Sequence, residues 1–338
     1  MYPVIAKRPR FTLDTQGFYT NDKGFILPEN DYYLLSILNS NLTMFWVQTE
    51  LSGLRGGYQE FRAVHLRNLP IREIDFTTPA PERESRVSSL LNDYDEYLAD
   101  SAPAPHPDAD DVAHDFLAEL AERMTELKEK RHSLNLSLLD HLGVSEDDEV
   151  DGDTLADAGI AQPPAGVADS PVSKTADELE SLRVGSVEVE RESPTAVEIR
   201  LSARYKPDDL DADSDETDRW GYTETDAVPA LRIADLDAEE ADLVEAFVPV
   251  AVERAGGFAG FRETATKTNS LVDRLRKLTL PRIDEVRDGL ESYRRTKQRA
   301  DELDEKIEKT DALIDEIVYD LYGLTDEEIE IVEEAVGD

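Results

Sequence analysis

Residues 25–71 read FILPENDYYLLSILNSNLTMFWVQTELSGLRGGYQEFRAVHLRNLPI, and the chain is organised around them. From Asp31 to Val47 the apolar residues recur at helical spacing: Leu34, Leu35, Leu38, Leu42, Phe45 and Trp46 predict one amphipathic helix. Asn30 and Asp31 are suitable caps for its start. A turn with three glycines follows, Ser52-Gly53-Leu54-Arg55-Gly56-Gly57-Tyr58, where the missing Cβ atoms let backbone approach a ligand closely. Phe61 to Ile71 then closes on Asn68-Leu69-Pro70-Ile71, an X-Pro stop in extended geometry. A packed helix followed by a loop bearing glycine, arginine and an aromatic suits a surface that touches a polyanion.

Tyr33-Leu34-Leu35-Ser36-Ile37-Leu38-Asn39-Ser40, then Gly56-Gly57, then Asn68-Leu69-Pro70-Ile71, follow one another in order. In this the stretch resembles the TaqI-like C-terminal specificity domain of adenine-N6 DNA methyltransferases, including the fused type IIG restriction–modification enzymes. Ala6-Lys7-Arg8-Pro9-Arg10-Phe11 and Phe18-Tyr19 resemble the strands that enter that domain. The close resemblance covers residues 1–76, and the ending Ile314 to Ile329 is similar to the C-terminus of the same enzymes. It implies double-stranded DNA as a partner, together with a methyltransferase domain or subunit that carries S-adenosylmethionine.

The 338 residues carry a formal charge of −40 and no cysteine, which excludes disulfides and thiolate zinc sites. No apolar run approaches a membrane span, and the N-terminus lacks the apolar core of a signal peptide, so a cytoplasmic protein is expected. The charge is uneven. Residues 1–72 hold eight Lys/Arg against six Asp/Glu, and residues 262–299 hold eleven against six. Two basic islands in an acidic chain predict a positive face if folding joins them. The acidic background, with 25 arginines to 11 lysines, resembles a protein adapted to a salt-rich cytoplasm, as in haloarchaea, where screening makes the charge tolerable.

The expected fold class is α+β: a target-recognition domain of short strands and helices, long coiled-coil-like helices, and a small β-containing region. Residues 87–143 read as a helical spacer. Leu117, Leu120, Met124, Leu127, Leu134 and Leu138 form a seam there, interrupted by Arg131. Residues 144–175, acidic and rich in Ala, Pro and Gly, read as a mobile linker. Within the α+β region at 176–261, Val197, Ile199, Leu201, Ala203 and Tyr205 alternate with polar residues as a half-buried strand. Val184, Val187 and Val189 supply its partner. Residues 262–338 read as long C-terminal helices on one heptad seam, with Asp304 and Asp311 as polar exceptions. Gly323 ends one helix there, and Thr325 with Glu328 starts the next as a capping box.

An adenine methyltransferase needs a glycine-rich cofactor loop after a strand and an Asn/Asp-Pro-Pro-Tyr/Phe segment for the flipped base. Neither motif is in this sequence. Gly256 to Phe261 reads as a plain loop, and no catalytic residue and no metal site are assigned; Asp208, Asp209, Asp211 and Asp213 read as a solvated acidic loop. The catalytic domain is expected upstream or on another subunit. The candidate DNA-binding residues are Arg55, Gly56, Gly57 and Tyr58, with the glycines admitting a phosphate and Arg55 placed to bridge guanine acceptors. Arg62, His65 and Arg67 alternate with Ala63, Val64 and Leu66 and are expected on the same face. Lys7, Arg8 and Arg10 are expected either to track phosphates or to pair with the protein's own acids. A type I-like stand-alone specificity subunit, a phage-resistance methyltransferase of the BREX type, and a non-catalytic acidic coiled-coil or DNA-mimic protein are the alternative readings.

Overall fold

A computed structural model describes residues 1–337 apart from 16, 52, 146–149, 165, 208–216, 255–257 and 262–265. In chain order the first elements are β1 (Tyr2–Pro3), β2 (Ile5–Ala6), β3 (Gly24–Phe25), α1 (Tyr32–Asn39), α2 (Asn41–Glu50), β4 (Gln59–Glu60) and α3 (Ala63–Leu66). Helices α4 (Ala80–Leu98) and α5 (Asp110–His132) follow. Next come α6 (Leu138–Leu142), β5 (Ile160–Gln162), β6 (Glu180–Ser193), β7 (Ala196–Lys206), β8 (Thr223–Glu224), β9 (Val228–Ala234), α7 (Ala238–Glu253) and α8 (Leu271–Arg276). The chain closes with α9 (Ile283–Tyr322) and α10 (Asp326–Gly337). The fold class is α+β, with helices predominating and the strands in several small sheets.

The elements divide into two compact units. Residues 135–298 form one, inserted in sequence between the two pieces of the other, Met1–Leu134 and Arg299–Asp338.

In the first unit, α1 is apolar on two sides and serves two cores. Leu35 and Leu38 join Tyr2, Phe11, Val47 and Phe61 over the two-stranded pairs β1–β3 and β2–β4. Tyr33 and Ile37 join Phe116, Leu117 and Leu120 of α5, Tyr94 of α4, and Ile317 and Val318 of α9. Asp31 caps α1 by accepting from the Leu34 amide. The single helix expected over 31–47 is in fact two. Ser40 adopts extended backbone (φ −68°, ψ 157°), and its hydroxyl accepts from the Thr43 amide to start α2. Thr43 donates its own hydroxyl to the Ile37 carbonyl at 2.6 Å, which also accepts from the Ser40 amide and hydroxyl at the end of α1.

The charged exceptions of the two predicted seams meet each other. Arg131 Nε donates to both carboxylate oxygens of Asp304, at 2.8 and 2.9 Å. On α9 the buried stripe runs through Leu303 and Thr310, each one residue before the predicted seam positions Asp304 and Asp311, and continues to Leu313, Ile317 and Leu321. A strict 3.5-residue repeat drifts against the 3.6-residue helix, which is why it assigned the two aspartates to the seam. The Thr310 hydroxyl meets Tyr94 Oη at 2.7 Å, so this buried polar side chain is partnered.

The second unit is a sheet of order β5-β9-β7-β6, with β8 beside β7, covered on one face by α7 and α8. The alternation in 197–203 holds: Val197, Ile199, Leu201 and Ala203 are fully buried. Val184, Val187 and Val189 lie opposite Ala203, Leu201 and Ile199. Two expectations are corrected here. The helical spacer does not run unbroken to 142: α5 stops at His132, and α6 is a separate helix capped by Ser137 and closed by Gly143 at φ +67°. The stretch 144–175 is not a mobile linker where described. Leu155 and Val172 are fully buried, and β5 forms the edge strand beside β9. Acidic composition concealed a few core anchors spaced too irregularly to show a period.

Candidate DNA-facing site

The N-terminal glycine turn is a tight reversal. Leu54 and Tyr58 bridge as an antiparallel pair, the Leu54 amide donating to the Tyr58 carbonyl at 2.6 Å, so Arg55-Gly56-Gly57 forms the tip. Gly56 and Gly57 both have positive φ, +85° and +76°. Open space surrounds Gly57, so it is the backbone conformation and not crowding that calls for glycine there. Because the strand that follows, β4, is anchored on β2, the turn is held at its base while Arg55 and both glycines stand exposed.

Lys7 and Tyr58 belong together. The Lys7 ammonium lies 5.5 Å from the Tyr58 ring centroid, because β2, just before Lys7, pairs with β4, just after Tyr58. Beneath the turn, Gln59 is buried and its Oε1 has no partner among the described residues. Nothing in the sequence signalled either feature.

The remaining candidates scatter. Arg62 pairs with Glu60 at 2.8 Å and precedes α3, and His65 and Arg67 are exposed. Residues 63–66 are helical, so the alternation expected of Arg62, His65 and Arg67 is corrected: a helical turn does not alternate its side chains between two faces. Arg10 is exposed. Arg8 is committed to the protein itself, since its Nη2 donates to the Val336 carbonyl in the last turn of α10 at 3.1 Å, where a cation suits the helix end. Phe45 and Trp46 are half-buried and line an apolar groove of about 270 Å³ with Leu42, Leu69 and Pro70.

Several cations of the basic island at 262–299 are paired with acids of the second unit. Arg287 pairs with Glu239 at 2.7 Å, Arg282 with Asp151 at 3.1 Å, and Arg294 with Asp242. Arg274 is buried, 7% exposed, with no partner for its Nε among the described residues, and burial lowers its pKa. Residues 208–216, which hold Asp208, Asp209, Asp211 and Asp213, lie outside the described residues, as do Gly256 and Gly257. Phe258–Gly260 is a 3₁₀ turn that comes after α7, not after a strand, an order unlike a nucleotide-binding loop. Among the described residues no cluster of three acidic or histidine side chains could hold a metal, and no helix is long and apolar enough to cross a membrane.

The first unit thus presents an anchored turn with an exposed arginine at its tip and a second cation beside it. Residues 1–71 match the sequence model of the TaqI-like C-terminal specificity domain, which places the turn, α1 and the closing Leu69-Pro70-Ile71 inside that domain. No curated protein and no solved structure matches the chain.

Proposed function

We propose that this chain is the DNA target-recognition portion of an adenine-N6 DNA methyltransferase or restriction–modification enzyme. The catalytic domain and its S-adenosylmethionine lie outside these residues. The observation that carries the reading is the match of residues 1–71 to a specificity domain, with the exposed Arg55-Gly56-Gly57 tip inside it. The tip suits base reading: glycine lets the backbone come close to the duplex, and a guanidinium can donate to both guanine acceptors in a major groove. Lys7, just after the adjoining strand β2, is suited to a phosphate.

The test is to fuse the chain to an adenine methyltransferase domain lacking its own specificity region and map methylated adenines in a random plasmid library. A defined site is expected, with Arg55→Ala relaxing one position of it at a cost of roughly 1–3 kcal/mol. Methylation without site preference, or a preference that Arg55→Ala leaves intact, rejects the assignment.

A further inference from the structure

The second unit gathers several cations on one face of its sheet. Arg183 on β6 lies opposite Arg204 on β7 in the sheet register, on the face turned away from the Leu201 and Ala203 core. Lys206, two residues along β7, points to the same side. All three converge on one ring: the charged groups of Arg183, Arg204 and Lys206 lie 5.0, 4.9 and 5.2 Å from the Tyr222 centroid. Beside them Arg219 stacks on Trp220 at 3.8 Å, and the indole is 59% exposed.

The turn that presents the indole is built for it. Asp218 accepts from the Trp220 and Tyr222 amides at 2.8 and 3.0 Å, and Gly221 takes φ +75°. Those amides hold the Asp218 carboxyl below its ordinary pKa, so it stays ionised and fixes the turn.

The distribution of acids makes the cluster unusual. The chain has 76 Asp and Glu for 36 Lys and Arg. Asp218 pairs with Arg204, and Glu224 accepts from the Ser202 hydroxyl. Among the described residues, Arg183, Lys206 and Arg219 have no carboxylate within ion-pair distance. They rest on aromatic faces instead, which attract a cation without cancelling its charge.

We propose that this face of the sheet is a second, sequence-independent contact for the phosphodiester backbone of duplex DNA. Any two of the three charges around Tyr222 are within about 10 Å of each other, the span of roughly three phosphates along one strand. Trp220 offers a flat apolar face to the sugar edge. The proposal deepens the target-recognition reading and rests on it only for naming the polyanion as DNA.

The experiment titrates a fluorescent duplex of arbitrary sequence with the whole chain, by anisotropy, across a salt series. The wild-type chain is expected to bind with strong salt dependence. The triple variant Arg183→Ala/Lys206→Ala/Arg219→Ala should lose at least tenfold in affinity at low salt. Its plot of log K against log salt should flatten by about 0.9 for each phosphate contact removed, nearly three in all. Trp220→Ala should weaken binding without changing that slope. All four side chains are at least partly exposed, and unchanged circular dichroism confirms folding. Absence of binding by the wild type, or an unchanged slope in the triple variant, overturns the proposal. So does tighter competition by poly-glutamate than by DNA, which would assign the face to an acidic protein. The site map of the fused methyltransferase scores the site-reading assignment separately, because it reads base preference and not the salt slope of this assay.

Discussion

Arg131 on α5 and Asp304 on α9, 173 residues apart, form a two-pronged ion pair at 2.8 and 2.9 Å. The arginine is 30% exposed and the aspartate 44%, so water screens the attraction. A double-mutant cycle with Arg131→Ala and Asp304→Ala is expected to give a coupling of about 0.5–1 kcal/mol by urea unfolding. A coupling indistinguishable from zero would reduce the pair to surface decoration.

Asp315 gives the first unit a pH dependence. It is 7% exposed, accepts from the Asn41 amide at 2.7 Å, and has its pKa raised to about 7. Burial is the main cause, Asp311 and Glu333 add to it, and Arg8 opposes them. A raised carboxyl pKa means the folded state holds a proton that the unfolded chain releases near pH 4. This group's contribution is therefore full below about pH 4 and lost as pH rises toward 7. Asp315→Asn, which keeps an acceptor for Asn41, should match the wild type at pH 4 and exceed it by a few kcal/mol at pH 8. Equal melting temperatures at both pH values would show that folding does not raise the Asp315 pKa.

Gly57→Val tests the tip of the turn. With φ at +76° and open space around it, valine meets backbone strain and no clash. A cost of about 1–3 kcal/mol is expected. Loss of site preference in the fused methyltransferase should accompany it, with helical circular dichroism unchanged. Retained site preference would remove the turn from the reading surface.

Arg274 is a buried cation whose Nε lacks a partner among the described residues. Arg274→Met keeps the length of the stem and removes the unsatisfied donor. It should stabilise the second unit by about 1–3 kcal/mol, measured by thermal unfolding. Destabilisation of that size would mean that the guanidinium has a partner in solution.

The sequence made the regular parts readable. Strand 196–206 and its partner announced themselves through Val197, Ile199 and Leu201, because apolar residues at every second position line one face of an extended chain. The restart at Gly323 was equally plain: Thr325 and Glu328 bond as a capping box, the Glu328 amide donating to the Thr325 hydroxyl and the Glu328 carboxylate accepting from the Thr325 amide. Ser40 hid its helix break inside a continuous apolar stripe, although Ser-Asn-Leu-Thr is a capping sequence. Leu155 and Val172 had no periodic neighbours to mark them as core. At the candidate site, the glycine conformations were legible from composition. The meeting of Lys7 with Tyr58, and of three cations with Tyr222, depends on strand register over long separations, which no local pattern encodes.

The insertion of residues 135–298 between the two pieces of the first unit has a consequence for synthesis. Tyr33 and Ile37 leave the ribosome early, yet the Ile317 and Val318 side chains that cover them are made nearly 300 residues later. At about 5–20 residues per second the N-terminal helices wait tens of seconds with an apolar flank uncovered. The inserted unit, whose strands are close in sequence, can complete itself in that interval. The module that carries the Arg55 turn therefore begins before the inserted unit and closes after it.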